Sequence, residues 1–352
     1  MTSVQAVLVA TSACVVSVIV VALLVPVLRR RGVLDVPNRR SSHEVPIPRG
    51  GGLGLLVGLA AGLGVAAASG LPSPGWPIIL GIALLACLGL YEDLAGDLPV
   101  AWRLGIQAAA AALVIAAAEP LRRLPLPAPI DVELGILGWP LSFLWVLGVV
   151  NIFNFLDGID GYAGVQGLVA GLGLSLVGWG SWIGPAGLAA AGACTGFLVL
   201  NWAPARIFMG DVGSLALGFL FAVMPFGEGR GAAPLLVFVA VLCLWFFLSD
   251  GAFTMARRLL KGERIWQPHR SHLYQRLTIA GWSHARVVVT VSIGMIVVAA
   301  LGVGAGLCGR PGALWIAVSL ACIAFVVYWR GVIMAERGAV GPSTATDRGM
   351  HD

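Results

Sequence analysis

The chain has 352 residues, of which 59% are hydrophobic and only 11% charged, with mean hydropathy +0.93. That excludes a soluble globular domain, in which about a quarter of residues carry charge. The net charge of +5 and isoelectric point near 9.1 do not mark a nucleic-acid binder, because the basic residues form no tracts with interleaved aromatics and fall in loops between apolar runs.

A bilayer core demands about 20 consecutive apolar residues per helix. Runs of that kind predict eleven spans in chain order, near 4–28, 52–71, 76–91, 104–119, 138–156, 163–182, 184–203, 213–227, 232–256, 286–307 and 312–330. The fold class is an all-α polytopic integral membrane protein of about eleven transmembrane helices, with ten the alternative count. Arg29-Arg30-Arg31 stops the first run where a cleavable leader would have small residues, so this run reads as a span. Residues 1–330 form one transmembrane domain, and the Gly-, Ser- and Thr-containing tail 331–352 is expected to be disordered. Cys14, Cys87, Cys194, Cys243, Cys308 and Cys322 lie singly in or beside the runs, which argues against a disulfide framework or a cysteine zinc site. No internal repeat of fixed period is present.

Alternating spans sort the loops into two sets. Loops 29–51, 92–103, 157–162, 204–212 and 257–285, with the C-terminus and the adjoining span ends Arg286 and Arg330, hold 18 of the 22 Lys and Arg; the other set holds Arg122, Arg123, Arg230 and Arg310. The positive-inside rule makes the first set cytoplasmic, with the N-terminus periplasmic and the C-terminus cytoplasmic.

The motifs lie on that same face. Loop 32–54, "GVLDVPNRRSSHEVPIPRGGGLG", carries His43 and the stiffness of Pro37, Pro46 and Pro48. Its polar groups either bind a ligand or, like Arg39 and Arg40, fix topology. Acids gather at the ends of spans: Glu92, Asp93 and Asp97, then Asp157 and Asp160, then Asp211, then Asp250. A carboxylate within a span costs at least about 2.5–3.5 kcal/mol, so each is a functional candidate.

In "NIFNFLDGIDGYAG" (151–164), three-residue steps drift by about 60° around a helix, which puts Asn151, Asn154 and Asp157 on one face. Gly158 and Gly161 loosen the chain so that Asp160 sits in a turn. Such a wall suits a phosphate-bearing ligand with Mg²⁺ between the like charges; the plainer reading is hydrogen-bonding glue between helices. In "RIFMGDVGSLALG" (206–218), Gly210 and Gly213 flank Asp211 at a helix start, where backbone N–H groups meet phosphates. The loop "ARRLLKGERIWQPHRSHLYQRL" (256–277) surrounds His269 and His272 with basic residues, as a phosphate-gripping lid or an anchor for anionic membrane lipids. The two histidines lack further ligands for zinc.

Together these motifs resemble the polyprenyl-phosphate N-acetylhexosamine-1-phosphate transferases, from "DVPNRRSSHEVPIPRGGGLG" and "YEDLAGDLPVAWRLGIQ" through "NIFNFLDGIDGYAG" and "NWAPARIFMGDVGSLALG" to "FLSDGAFTMARRLLKGERIWQPHRSHLYQRL", in the family's order. The resemblance implies a multi-pass enzyme of the bacterial inner membrane, active on the cytoplasmic face. Such an enzyme transfers a sugar-1-phosphate from a UDP-sugar to undecaprenyl phosphate and releases UMP. It implies Mg²⁺, with Mn²⁺ a substitute, and leaves a homodimer open. It further implies Asp211 as the first metal ligand, Asp93 as a second ligand or as the acid that places the lipid phosphate, and Asn201 as support for the diphosphate. Asn154, Asp157 and Asp160 would line the nucleotide site, with Phe208 stacked on uracil, and His269, Arg270 and His272 would contact phosphates and sugar.

This chain departs from the family pattern at Glu92, which replaces an aspartate, and at Arg103, which replaces a frequent lysine and forks where lysine is a point charge. "SHLYQRL" is similar to the subgroup that initiates O-antigen with 6-deoxy amino sugars such as N-acetylfucosamine or N-acetylquinovosamine; N-acetylglucosamine is the alternative donor. The rival class is an ion-coupled secondary transporter, whose acids would lie at mid-membrane in repeated halves.

Overall fold

The computed structural model describes residues 1–37, 45–96, 98–226, 229–264 and 269–339. Helix α1 (Ser3–Arg31) starts from a reciprocal cap between Thr2 and Gln5 and ends at Gly32 in the left-handed conformation, φ +70°. A two-residue antiparallel ladder of β1 (Leu34–Asp35) and β2 (Ile47–Pro48) follows. Then come α2 (Gly52–Ala68), α3 (Trp76–Ala95), α4 (Val100–Ala118), α5 (Gly138–Leu156), α6 (Tyr162–Val177), α7 (Ile183–Asn201) and α8 (Gly210–Val223). The chain ends with α9 (Gly229–Cys243), α10 (Trp245–Leu260), the short α11 (Leu273–Ile279), α12 (His284–Cys308) and α13 (Pro311–Ala339).

Every predicted span falls on a helix or a helix pair, but not all reach spanning length. Among the described residues seven helices are long and apolar enough to cross a membrane, or eight if α9 and α10, bent by 79° at Leu244, form one span. The predicted spans over α2, α6 and α8 correspond to shorter apolar helices of 17, 16 and 14 residues. Burial explains α6 and α8: most of their residues are enclosed by neighbouring helices, so their length is set by helix contacts more than by lipid.

Helix α1 packs on α2 and α7, α7 on α6, and α8 is held between α3 and α5. Small residues permit these close contacts, and Ser17 Oγ donates to the Ala193 carbonyl at 2.9 Å to bind α1 to α7. The outward faces of α1 and α13 stay apolar and exposed, as lipid-facing surfaces should.

The expected tail needs correction. Helix α13 runs past Arg330 to Ala339, because Val332 is buried and Glu336 accepts a forked ion pair from Arg276, at 2.7 Å from Nε and 2.6 Å from Nη2. Residues 340–352 lie outside the described residues.

Among the described residues, contacts away from the acids tie helix ends and loops together. At one end Gln5 binds Ser69, Trp179 binds Met1, Leu121 binds Ser142 and Trp315 binds Ala128, through side-chain and backbone groups. The other end gathers the acids.

Candidate active site

The site is built around the N-terminus of α8. Gly210 enters it at φ +74°, a conformation that favours glycine, and the first turn of the helix presents N–H groups that have no partner within the helix. Asp93, near the C-terminal end of α3, satisfies two of them. Its Oδ1 accepts the Asp211 N–H at 3.0 Å and its Oδ2 the Val212 N–H at 3.1 Å. Asp93 is thus a cap delivered from another helix. The helices approach this closely because residue 89 is glycine: a Cβ there would overlap the backbone of Asp211.

Around the seated Asp211 lies a polar ring. Asn154, in the last turn of α5, donates from Nδ2 to Asp211 Oδ1 at 2.6 Å and to Ser214 Oγ at 2.8 Å. Arg103 Nη2, from the first turn of α4, lies 3.1 Å from Glu92 Oε2, 3.5 Å from Asp211 Oδ2 and 3.4 Å from Asn154 Oδ1. Glu92 is fully buried, and its Oε1 accepts the Leu98 N–H at 3.3 Å. Arg49, after β2, donates to the backbone carbonyls of Glu92 and Asp93, each at 3.1 Å, which ties the segment before α2 to the end of α3.

Asp157 closes the ring at the C-cap of α5. Its carboxylate is half-buried and has no hydrogen-bond or ion-pair partner among the described residues. Burial, followed by the charges of Asp211 and Asp93, pushes its pKa up to about 8.

Six predicted site residues therefore converge: Glu92, Asp93, Arg103, Asn154, Asp157 and Asp211. Others have different work. Asn151 sits one turn deeper and donates to Gln107 Oε1 at 2.7 Å and to the Leu147 carbonyl at 2.8 Å, which is the interhelical glue of the plainer reading. Asn201 is 4% exposed and both ends of its amide serve backbone: Oδ1 accepts the Gly161 N–H at 3.0 Å and Nδ2 donates to the Ile207 carbonyl at 2.9 Å. It shapes two loops and does not offer its amide to a diphosphate. Asp160 likewise accepts the Ala205 N–H at 3.0 Å and pairs with His284 Nδ1 at 3.2 Å. Phe208 is half-buried in a parallel bridge to Arg49, its N–H donating to the Pro48 carbonyl at 2.8 Å. His43 and Asp97 lie outside the described residues.

The end of the basic loop is seated on the same face. His272 is buried, with Nδ1 3.2 Å from Asp250 Oδ1, and its ring lies 4.8 Å from that of His269. Burial, then the charges of His272, Arg258 and Arg257, lower the His269 pKa to about 4, so this imidazole is neutral at pH 7. Arg270 is half-buried between them in sequence. Tyr274 lies against Gly158, where a Cβ would overlap its hydroxyl, so the loop rests on the turn that follows Asp157.

Arg49, Gln107, Ser214, Tyr274 and His284 escaped sequence reasoning. Only Arg49, beside the Gly50-Gly51-Gly52 run, carried a local signal.

Among the described residues no three His, Cys, Asp or Glu side chains form a metal cage. Mg²⁺ needs none: it binds through one or two carboxylates and completes its shell with water and substrate phosphates. Asp157, without a side-chain partner among the described residues and near the charge of a partly open Asp211, fits such an ion.

The family model of glycosyl transferase family 4 matches residues 76–226. The chain is 31% identical over 296 residues to a probable undecaprenyl-phosphate N-acetylglucosaminyl 1-phosphate transferase of Bacillus subtilis, covering 79% of this chain and 80% of that protein. It is 28% identical to a decaprenyl-phosphate N-acetylglucosaminephosphotransferase of Mycobacterium tuberculosis, over 77% of this chain and 75% of the other. It is also 28% identical to an undecaprenyl-phosphate alpha-N-acetylglucosaminyl 1-phosphate transferase of Yersinia pestis, over 84% and 83%.

Proposed function

The chain belongs to glycosyl transferase family 4, and on that premise we propose that it transfers an N-acetylated amino-sugar 1-phosphate from a UDP-sugar to undecaprenyl phosphate at the cytoplasmic face of the bacterial inner membrane. The observation that carries this reading is Asp157 beside Asp211 at the mouth of the bundle, with no side-chain partner among the described residues.

A phosphate oxygen of the lipid attacks the sugar-bearing phosphorus. The bond from that phosphorus to the bridging oxygen breaks, and UMP leaves with the bridging oxygen. Phosphoryl transfer of this kind needs charge neutralisation and in-line placement above all. Mg²⁺, or Mn²⁺ in its place, supplies neutralisation of the diphosphate when bound; Asp211 and Asp157 would hold it. Arg103 supplies a guanidinium fork beside Asp211, and Asp93 fixes the α8 turn that carries it. The lipid phosphate is already largely ionised at pH 7, with a second pKa near ~6. No side chain is therefore required as general base, which suits an Asp93 whose oxygens already serve backbone amides.

Eleven crossings, a periplasmic N-terminus and a role at the start of lipid-linked O-antigen or other envelope-glycan synthesis belong to the same proposal. The "SHLYQRL" spelling favours a 6-deoxy amino sugar as donor, whereas the names of the relatives favour N-acetylglucosamine.

Purified protein, undecaprenyl phosphate, Mg²⁺ and a panel of UDP-sugars, read by UMP release, test the proposal. UMP release that EDTA abolishes supports it, and the active donor decides between the two sugars. Asp211→Asn should remain folded and lose turnover by roughly 10²–10³-fold, the scale of losing one well-placed electrostatic group. No UMP from folded wild-type protein with any donor would sink the reading and return the transporter to first place.

A further inference from the structure

Asp250 takes no part in the ring around Asp211, yet it is a completely buried carboxylate with a full set of donors. Thr254 Oγ1 lies at 3.1 Å, His272 Nδ1 at 3.2 Å, the Leu273 N–H at 2.9 Å, the Tyr274 N–H at 3.2 Å and the Tyr328 hydroxyl at 3.4 Å. A charge taken this far from water is costly unless donors replace its hydration. These come from α10 itself, from α13, and from three consecutive residues of the basic loop. Simple helix packing would not require a carboxylate at that point, since α10 and α13 already meet through Phe253 against Phe325 and Trp329.

We propose that Asp250 is a positioning residue of the transfer reaction, acting through His272; this rests on the transferase reading above. Two backbone N–H groups fix the start of α11 on its oxygens. The Nδ1 contact fixes the ring, because a carboxylate acceptor there favours the proton on Nδ1 and leaves Nε2 as the ring's acceptor. The anchored segment is the one that carries His269 and Arg270, and its next residue, Tyr274, lies against Gly158 in the turn that follows Asp157. Asp250 thereby transmits its placement to the phosphate-facing loop without touching substrate.

A double-mutant cycle tests this. Asp250→Asn keeps the shape but presents an amide that cannot accept from every donor, and it favours the other His272 tautomer. With UDP-N-acetylglucosamine or whichever donor the panel identifies, Asp250→Asn and His272→Gln should each lower kcat by roughly 10–100-fold, the scale for groups that orient a functional histidine. KM should change little. The double variant should be no worse than the poorer single one, which marks residues that act as a unit. Additive losses, or wild-type kcat in Asp250→Asn, would overturn the proposal.

Should Asp250→Asn not fold, His272→Gln answers from the other partner: a loss in that range supports the proposal and wild-type turnover overturns it. Wild-type protein that releases no UMP would defeat the transferase reading alone. Hydrogen exchange then decides the seating: faster exchange at the Leu273 and Tyr274 amides in Asp250→Asn supports it, and unchanged exchange refutes it.

Discussion

Asp157 and Asp93 are carboxylates of one site that differ in their hydrogen-bond partners. Asp93 spends both oxygens on the amides of Asp211 and Val212, which fixes it against the start of α8. Asp157 has no such donors, and its folded pKa of about 8 stands above the ordinary 3.8. The folded state then binds more protons than the unfolded chain between those values. Its favourable contribution is complete below about 3.8 and is lost as pH rises through about 8. In EDTA, the melting temperature of the wild-type protein should therefore fall between pH 6 and 9, and that of Asp157→Asn should fall less. Mg²⁺ should oppose the loss in the wild type alone, since a bound cation favours the ionised acid. Identical pH profiles for the two proteins, with and without Mg²⁺, would remove Asp157 from the cation site.

Between α3 and α8 the controlling feature is an absence of side chain. Gly89 lets the backbone of α3 lie against Asp211, and that contact brings Asp93 within reach of the α8 amides. Gly89→Ala should cost about 1–3 kcal/mol through overpacking and should lower turnover further by displacing Asp211. Gly64→Ala, where a Cβ meets nothing within 4 Å, is the matched control and should melt no lower than wild type. Gly89→Ala with wild-type melting and UMP release would show that α3 and α8 tolerate greater separation. Such contacts mark the limit of what was legible beforehand. Apolar runs located the helices, because the bilayer length requirement acts on local sequence. The acids were legible because charge is rare in such a chain. Depth was not: Asn151 and Asn154 share a helical face, yet a rise of about 4.5 Å over three residues puts one on Gln107 and the other on Asp211. The backbone partners of Asn201 and Asp160 were not legible for another reason, since they belong to distant loops that no local pattern encodes. The 79° bend at Leu244 was invisible because residues 240–248 contain neither glycine nor proline.

Across the described residues of the bundle, hydrogen bonds at each end join loops and span ends. Arg49, Arg103, Asn154, Gly161, Asn201, Asp211 and Tyr274 meet at one end, while Met1, Ser69, Ala128 and Trp179 belong to contacts at the other. The proposed topology places an odd number of crossings between the N-terminus and the basic C-terminal segments, which would put them on opposite sides. The proposed orientation puts the acid-bearing end in the cytoplasm, because the sequence assigns 18 of the 22 Lys and Arg to that predicted side and translocation of such loops is disfavoured. In a background without the six native cysteines, Ser73→Cys, Arg123→Cys and Arg310→Cys should react with a membrane-impermeant maleimide on intact cells. Leu98→Cys and Lys261→Cys should react only after the membrane is opened. The reverse pattern would turn the site outward, away from a cytoplasmic supply of UDP-sugar, and would defeat the proposed reaction together with the topology. Labelling of Lys261→Cys and Arg310→Cys from the same side would instead show that α12 does not cross, leaving the site on the cytoplasmic face with one fewer span.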